Sequence, residues 1–360
     1  MVDLELLHPA LRGPIQVRSK HVGLERPRDL LAALPEEPER LLQLANHHVV
    51  SALQFDRDLV LQLCRLAADI ETQPGLFHLP LAGKILITAF FEPSTRTRLS
   101  FESAWHRLGG DILSITDVST TGAAKGESAA DIAEMFSNYS DVVVLRDRDE
   151  KTVYSMIETL RVPIVNAGNG IDEHPTQALS DIYALLKWRP DLGTSDPQRK
   201  VRVGIIGNPS KMRTVRSLLL LLSLFADAIE EVVVVNSGDD LFSPGQRELI
   251  EQRGLKLRSE RRLGGVLPSL DVVYINSIAW IGDTFERLTG DLRLSSDSPL
   301  KHDAIVLHPL ARGDELDVSL DDSEHNWYFS QARGATFIRM ALLTSMVERV
   351  HRVADVRPPS

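Results

Sequence analysis

The 360-residue sequence predicts an α/β chain of two doubly wound parallel-sheet domains. From Lys84 onward, short apolar runs alternate with segments of helical period, the pattern of parallel strands covered by helices. Arg189 to Lys200 interrupts the alternation with Pro190, Gly193 and Pro197 and reads as a linker. A second α/β series then restarts at Val201-Arg202-Val203-Gly204-Ile205-Ile206-Gly207. The expected divisions are an extension at 1–44, a first domain at 45–188, a second at 189–335 and a closing segment at 336–360 that returns to the first domain.

The extension is rich in Pro, Arg and Glu with little sustained periodicity, and is expected to be a docking or oligomer-contact arm. Leu59 to Leu66 is apolar and holds the only cysteine, Cys64, which is therefore expected in a core. Ile85 to Phe91 reads as the first strand. It runs into Phe91-Glu92-Pro93-Ser94-Thr95-Arg96-Thr97-Arg98, behind which Phe101, Ala104, Trp105 and Leu108 fall at i, i+3, i+4 and i+7 of a helix that Gly109-Gly110 stops. Pro93 and Ser94 thus sit at a helix start, where free N–H groups favour an anion and Arg96 and Arg98 add full charges.

A strand at Asp111 to Ile115 and a helix carrying Ile132, Met135, Phe136 and Tyr139 follow. Val142 to Leu145 delivers Arg146 at its carboxyl end, and Pro163 to Val165 leads through Asn166-Ala167-Gly168-Asn169-Gly170 toward His174. Ligands of open α/β sheets bind at those carboxyl ends. His174-Pro175-Thr176-Gln177 opens a helix backed by Leu179, Ile182, Leu185 and Leu186 and ending near Lys187-Trp188. In the second domain, strands are expected at Val232 to Asn236, Val272 to Asn276 and Ile305 to Leu307, before a last helix at Thr336 to Val353.

Composition narrows the function. A formal charge of -10 argues against a general nucleic-acid or membrane-surface binder, so the Arg-rich run stands out as a local site for a small anion such as a phosphate. One cysteine excludes an internal disulfide framework and fits a reducing compartment. No apolar stretch reaches the length of a membrane span and the amino terminus lacks a signal-peptide core, so a cytoplasmic protein is expected. Gly204 to Gly207 lacks the third glycine of a dinucleotide fingerprint and runs into Asn208-Pro209, and an oxidoreductase would explain none of the first-domain motifs. Each motif also has a bland reading: a capped helix for Ser94-Thr95-Arg96-Thr97-Arg98, a packing histidine for His174, a surface loop for Lys125, an exposed helix-start arginine for Arg213.

Taken in order, Ser94 to Thr97, Lys125-Gly126-Glu127-Ser128, Arg146, the Asn166 to Gly170 run with His174-Pro175-Thr176-Gln177, His308-Pro309-Leu310 with Arg312, and Trp327 to Leu343 resemble the aspartate/ornithine carbamoyltransferase family, with the aspartate branch fitting best. The resemblance runs from about Asn46 to Arg349. It implies a carbamoyl phosphate domain followed by an amino-acid acceptor domain, a homotrimer with sites shared between subunits, and a reaction that uses no cofactor and no metal. Carbamoyl phosphate would give its carbamoyl group to an amine. The resemblance assigns phosphate binding to Ser94, Thr95, Arg96 and Thr97, and places Arg146 between phosphate and carbonyl oxygen. It gives polarisation of that carbonyl to His174 with Thr97 and Arg146, and the carbamoyl amide to Gln177 and the Leu310 backbone. Thr121 and Lys125 fall in the loop that a neighbouring subunit lends, and Arg213 falls where an acceptor carboxylate is held.

Two departures bear on the acceptor. The aspartate branch follows the strand ending near Tyr274 with an Arg-x-Gln pair, but this chain has Ser277 and Ala279 there, or Gly282 and Thr284 when counted back from Glu286-Arg287-Leu288. Asn276, also on the acceptor side, stands where the ornithine branch has an aspartate that meets an amino group, and Trp280 and Ile281 instead suit an apolar or uncharged acceptor portion. Ala311 stands where the family usually has a proline that often supports a cis peptide, so the Leu310 carbonyl is expected to shift. The expectation is carbamoyl transfer to aspartate, giving N-carbamoyl-aspartate. The alternatives are a less anionic amine acceptor and a noncatalytic homologue.

Overall fold

The computed structural model describes residues 26–73, 79–238, 240–276, 278–281, 284–287 and 292–353. The parts of the expected extension and closing segment at 1–25 and 354–360 lie outside the described residues. The chain opens with α1 (Pro27–Ala33) and α2 (Arg57–Thr72), and the first sheet follows. Its elements are β1 (Ile85–Phe90), α3 (Thr95–Arg107), β2 (Asp111–Ile115), α4 (Ala129–Tyr139), β3 (Val142–Asp147), α5 (Thr152–Ile157), β4 (Ile164–Asn169) and α6 (Pro175–Trp188). The strands pair in the order β2-β1-β3-β4, all parallel. β1, β3 and β4 are buried almost throughout because helices cover both of their faces.

The second sheet is built from β5 (Val201–Ile206), α7 (Arg213–Leu222), β6 (Ile229–Val235), α8 (Gln246–Gln252), β7 (Leu257–Glu260), β8 (Val272–Ile275) and β11 (Ile305–Leu307). Its order is β11-β8-β5-β6-β7, again parallel. A small antiparallel hairpin, β9 (Ile278–Ile281) with β10 (Thr284–Arg287), lies between β8 and β11 in sequence. The two-domain α/β architecture is thus as the alternation predicts.

Chain order reverses beside β1 in one sheet and beside β5 in the other. Such switch points leave a crevice at the strands' carboxyl ends, where no crossover covers the sheet.

Two boundaries differ from the sequence reading. Residues 27–44 form α1 and a 3-10 segment, and they bury Leu30, Leu34, Leu41 and Leu44 in the main core, so this part of the expected arm is integral to the fold. Their apolar residues are spaced among Pro, Arg and Glu, which masks the pattern. The last helix, α9 (Tyr328–Met346), starts earlier and ends earlier than expected. It packs on α2, α3 and α6. Cys64 is fully buried, and burial pushes its thiol well above the usual range, in keeping with a core residue.

Candidate functional site

β1 and β3 deliver the first two parts of the site side by side. Phe90 pairs with Arg146 in register, and the Phe91 N–H donates to the Arg146 carbonyl at 2.8 Å. Immediately beyond, Ser94 is the N-cap residue of α3, with extended backbone and no capping hydrogen bond from its side chain. The first turn of α3 holds no acidic residue. The free N–H groups and the serine hydroxyl are therefore not consumed by the cap that the bland reading invokes, and the helix end remains positive. Thr97 is buried and Arg96 exposed, whereas Arg98 turns away to pair with Glu102 at 3.0 Å. Of the two arginines in this run, only Arg96 faces the cleft.

The glycine-containing end of β4, with the turn that follows it, holds itself in shape. Asn166 accepts from the Gly168 N–H at 2.8 Å and donates to Asn169 at 2.8 Å, while Asn169 donates to the Glu150 carbonyl at 2.9 Å. Gly168 has φ +112, and a Cβ there would meet the Arg213 guanidinium at 2.9 Å. Glycine is required twice over, for the backbone and for the approach of Arg213. This turn feeds His174, whose N–H donates to Ser217 of α7 at 2.9 Å; Ser217 in turn donates to the buried Glu173 carboxylate at 3.0 Å.

Ser94, Thr95, Arg96, Thr97, Arg146, His174, Gln177, Arg213, Asn276 and Leu310 all line one cleft of about 680 Å³ between the two sheets. Every residue assigned to the donor is among them. Thr121 and Lys125 are absent from this chain's own cleft; the Thr121 hydroxyl donates to the Val118 carbonyl at 2.7 Å, and Lys125 is exposed. Trp280 belongs to β9 opposite Phe285, and its side chain lies outside the described parts of the structure. Ser277 and Gly282, two of the positions at which the sequence reading sought an Arg-x-Gln pair, also lie outside the described residues. The Leu310–Ala311 peptide is cis although no proline is present, and the Leu310 N–H donates to His308 Nδ1 at 2.8 Å.

The cleft is strongly cationic. Burial, reinforced by the neighbouring Arg213, lowers the Arg146 guanidinium to about 10, still charged at neutral pH. Its Nη2 donates to Glu92 at 2.8 Å, and Arg213 grips the same carboxylate through both terminal nitrogens at 2.9 Å. Burial alone would raise the Glu92 carboxyl, but the two guanidiniums together hold it below the usual range. His174 is fully enclosed, and burial with the charges of Arg146, Arg213 and Arg339 holds its ring well below its ordinary value. It is neutral at pH 7 and can donate one ring N–H without carrying charge. Among the described residues no cluster of His, Cys, Asp or Glu is arranged to hold a metal ion, and no helix is long and apolar enough to cross a membrane.

Three residues at the site carry no role in the sequence reading. Glu92 bridges Arg146 and Arg213. Arg339, lowered to about 9 by burial, reaches the cleft from α9, donates to Ser100 and stacks 4.7 Å over the Phe101 ring. Asp181, fully buried on α6 and raised by that burial to about 7, accepts from Gln177 at 2.7 Å. Glu92 stands within the conspicuous run, but nothing in a linear sequence shows the pairing of distant guanidiniums on it.

Two family profiles match the chain. Residues 47–187 match the carbamoyl-P binding domain of aspartate/ornithine carbamoyltransferases, and residues 199–346 match the Asp/Orn binding domain of the same family. The aspartate carbamoyltransferase catalytic subunit of Methanopyrus kandleri is 37% identical over 310 residues, covering 83% of this chain and 96% of its own. That of Pyrobaculum islandicum is 37% identical over 303 residues, covering 82% and 96%. Among solved structures, aspartate transcarbamoylase from Trypanosoma cruzi in complex with carbamoyl aspartate and phosphate superposes with a TM-score of 0.75 at 29% identity, covering 88% of this chain and 99% of that one.

Proposed function

Since the chain belongs to the aspartate/ornithine carbamoyltransferase family, we propose that it transfers the carbamoyl group of carbamoyl phosphate to the amine of aspartate, giving N-carbamoyl-aspartate and phosphate. The observation that carries this reading is the convergence of Ser94 to Thr97 at the start of α3 with Arg146, His174, Gln177 and Leu310 on one cleft. The α3 amides with Ser94, Thr95, Arg96 and Thr97 hold the phosphate. Arg146 reaches both phosphate and carbonyl oxygen. As the neutral amine attacks the carbonyl carbon, negative charge grows on that oxygen, and Thr97, Arg146 and the neutral His174 donate to it. Collapse breaks the C–O bond to phosphate, and the departing phosphate takes the proton released by the amine once water is excluded. No protein nucleophile is needed. Gln177 and the Leu310 carbonyl accept from the carbamoyl amide.

Arg213 supports an acceptor that bears a carboxylate. Glu92 accepts from both terminal nitrogens of Arg213, so acceptor binding exchanges one carboxylate for another on the same guanidinium. Asn276 lines the second-domain wall beside it and donates to Thr214 at 2.9 Å. The Trp280 strand belongs to the acceptor side in this reading. A homotrimer completes each site, with Thr121 and Lys125 supplied by the neighbouring copy, which accounts for their distance from this chain's cleft. A cytoplasmic location accompanies the reading, supported by the single buried thiol.

The test is carbamoyl phosphate labelled in its carbamoyl carbon, offered with aspartate, ornithine and a panel of uncharged amines. Labelled N-carbamoyl-aspartate and inorganic phosphate in equal amounts are expected. Turnover of another amine alone would transfer the activity to that acceptor. Binding of carbamoyl phosphate with no product from any amine would mark a noncatalytic homologue.

A further inference from the structure

Gln177 sits in the first domain, on α6, and Leu310 in the second, yet both must present an oxygen to the same carbamoyl amide. One buried hydrogen-bonded chain joins them. Asp181, a turn beyond Gln177 on α6, accepts from Gln177 Nε2 at 2.7 Å and, with the same oxygen, from Gln331 Nε2 at 2.6 Å. Gln331 Oε1 accepts from the His308 N–H at 2.8 Å, and His308 Nδ1 accepts from the Leu310 N–H at 2.8 Å. His308 Nε2 meets Glu315 at 2.8 Å. Asp181, Gln331, His308 and Glu315 are all buried, so no water competes for these bonds.

The polarity of the chain is set by two groups that cannot turn, the Asp181 acceptor and the donating His308 N–H. A side-chain amide presents an acceptor on one side and a donor on the other. Because Asp181 offers an acceptor, the NH₂ groups of both glutamines turn toward it, which leaves Gln177 Oε1 for the cleft and Gln331 Oε1 for the His308 N–H. We infer that Asp181 is the positioning residue that sets the acceptors for the carbamoyl amide from both domains, and so makes the site select carbamoyl phosphate over phosphate itself. Remove the acceptor, and Gln177 is free to turn its NH₂ toward the substrate's NH₂, donor against donor. The phosphate clamp at Ser94 to Thr97 has no bond to this chain.

The inference rests on the proposed donor, and the experiment separates the two. Carbamoyl phosphate KM, kcat and competitive inhibition by inorganic phosphate are measured for the unaltered protein, Asp181→Leu, Asp181→Asn and Gln331→Leu. The Asp181→Leu change is expected to weaken carbamoyl phosphate about tenfold, with phosphate inhibition changed less than about twofold, as for loss of a buried hydrogen bond. The Asp181→Asn variant keeps an acceptor oxygen and is expected to restore the selectivity, while Gln331→Leu loses the part carried by Leu310. Gln177→Leu serves as the variant that loses the Gln177 contact directly, and a fold check by circular dichroism accompanies each. If the unaltered chain makes no use of carbamoyl phosphate, the donor reading fails. If it does, and a folded Asp181→Leu keeps the ratio of carbamoyl phosphate to phosphate affinity, the positioning role of Asp181 is overturned. Equal loss of both ligands would also overturn it, because that is the mark of a merely structural residue.

Discussion

At the scale of single residues, the site turns on charge held or withheld by burial. His174 is the clearest case: enclosed and surrounded by arginines, it stays neutral where a free ring would be part-protonated. His174→Ala should lower kcat by about 10²–10³, the cost of one lost donor to a developing oxyanion, with a much smaller change in phosphate inhibition. Steady-state kinetics decides it, and an unchanged kcat would remove His174 from the carbonyl. Asp181 has the opposite sign. Its folded carboxyl is raised from 3.8 to about 7, so the folded state binds a proton that the unfolded state has released between those values. This group therefore makes the protein less stable as pH rises from about 4 to 7, and Asp181→Asn should abolish that component. Urea titrations of both proteins across that range test it; parallel curves would contradict the assignment. Residues at this scale were legible when they stood in a run with one chemical purpose, as Ser94 to Thr97 and His174 to Gln177 do. Asp181, Glu92 and Arg339 were not, because their meaning lies in partners far away in sequence.

At the scale of elements, apolar periodicity located every strand of the two sheets except β7, together with the helices α3, α4 and α6. It missed α1, whose apolar run Leu30 to Leu34 is short and closed in by Pro27, Arg28, Asp29 and Pro35, and it started α9 late because its first turns carry Ser330, Gln331 and Arg333. Gln331 and Arg333 have tertiary work. Glu71 of α2 accepts from Lys187 of α6 at 3.2 Å, from Tyr183 of α6 at 2.8 Å and from Arg333 of α9 at 3.1 Å, tying three helices together at one carboxylate. Lys187 and Glu71 are almost wholly enclosed. Lys187→Met should therefore destabilise the fold by about 3 kcal/mol, the lower end for breaking a buried pair, since Arg333 and Tyr183 remain on Glu71. The denaturation midpoint measures this. A neutral result would mean that packing of the aliphatic stem, rather than the ion pair, joins α6 to α2.

At the scale of the whole molecule, two switch points face one another across the cleft and α9 ties the end of the chain to the first domain. A single chain nevertheless leaves the Thr121 to Lys125 loop away from its own cleft, beside the edge strand β2, and exposes Leu99, Leu113 and Met135 on α3, β2 and α4. A closed ring of copies would give these features a partner, and a heterologous contact in a ring makes every site a composite of two chains. The consequence is quantitative. His174→Ala disables a site from within its own chain, and Lys125→Ala disables it from the neighbouring chain. Each variant alone should be nearly inactive. Mixed in equal amounts after reversible dissociation, a site works only where a Lys125→Ala chain supplies the cleft and a His174→Ala chain supplies the loop, which occurs at about one site in four for random assembly of a ring. Recovery of about a quarter of the unaltered activity is therefore expected, rising and falling with the mixing ratio. No recovery from chains that demonstrably exchange would mean that each cleft is complete within one chain and that Lys125 is an ordinary surface lysine.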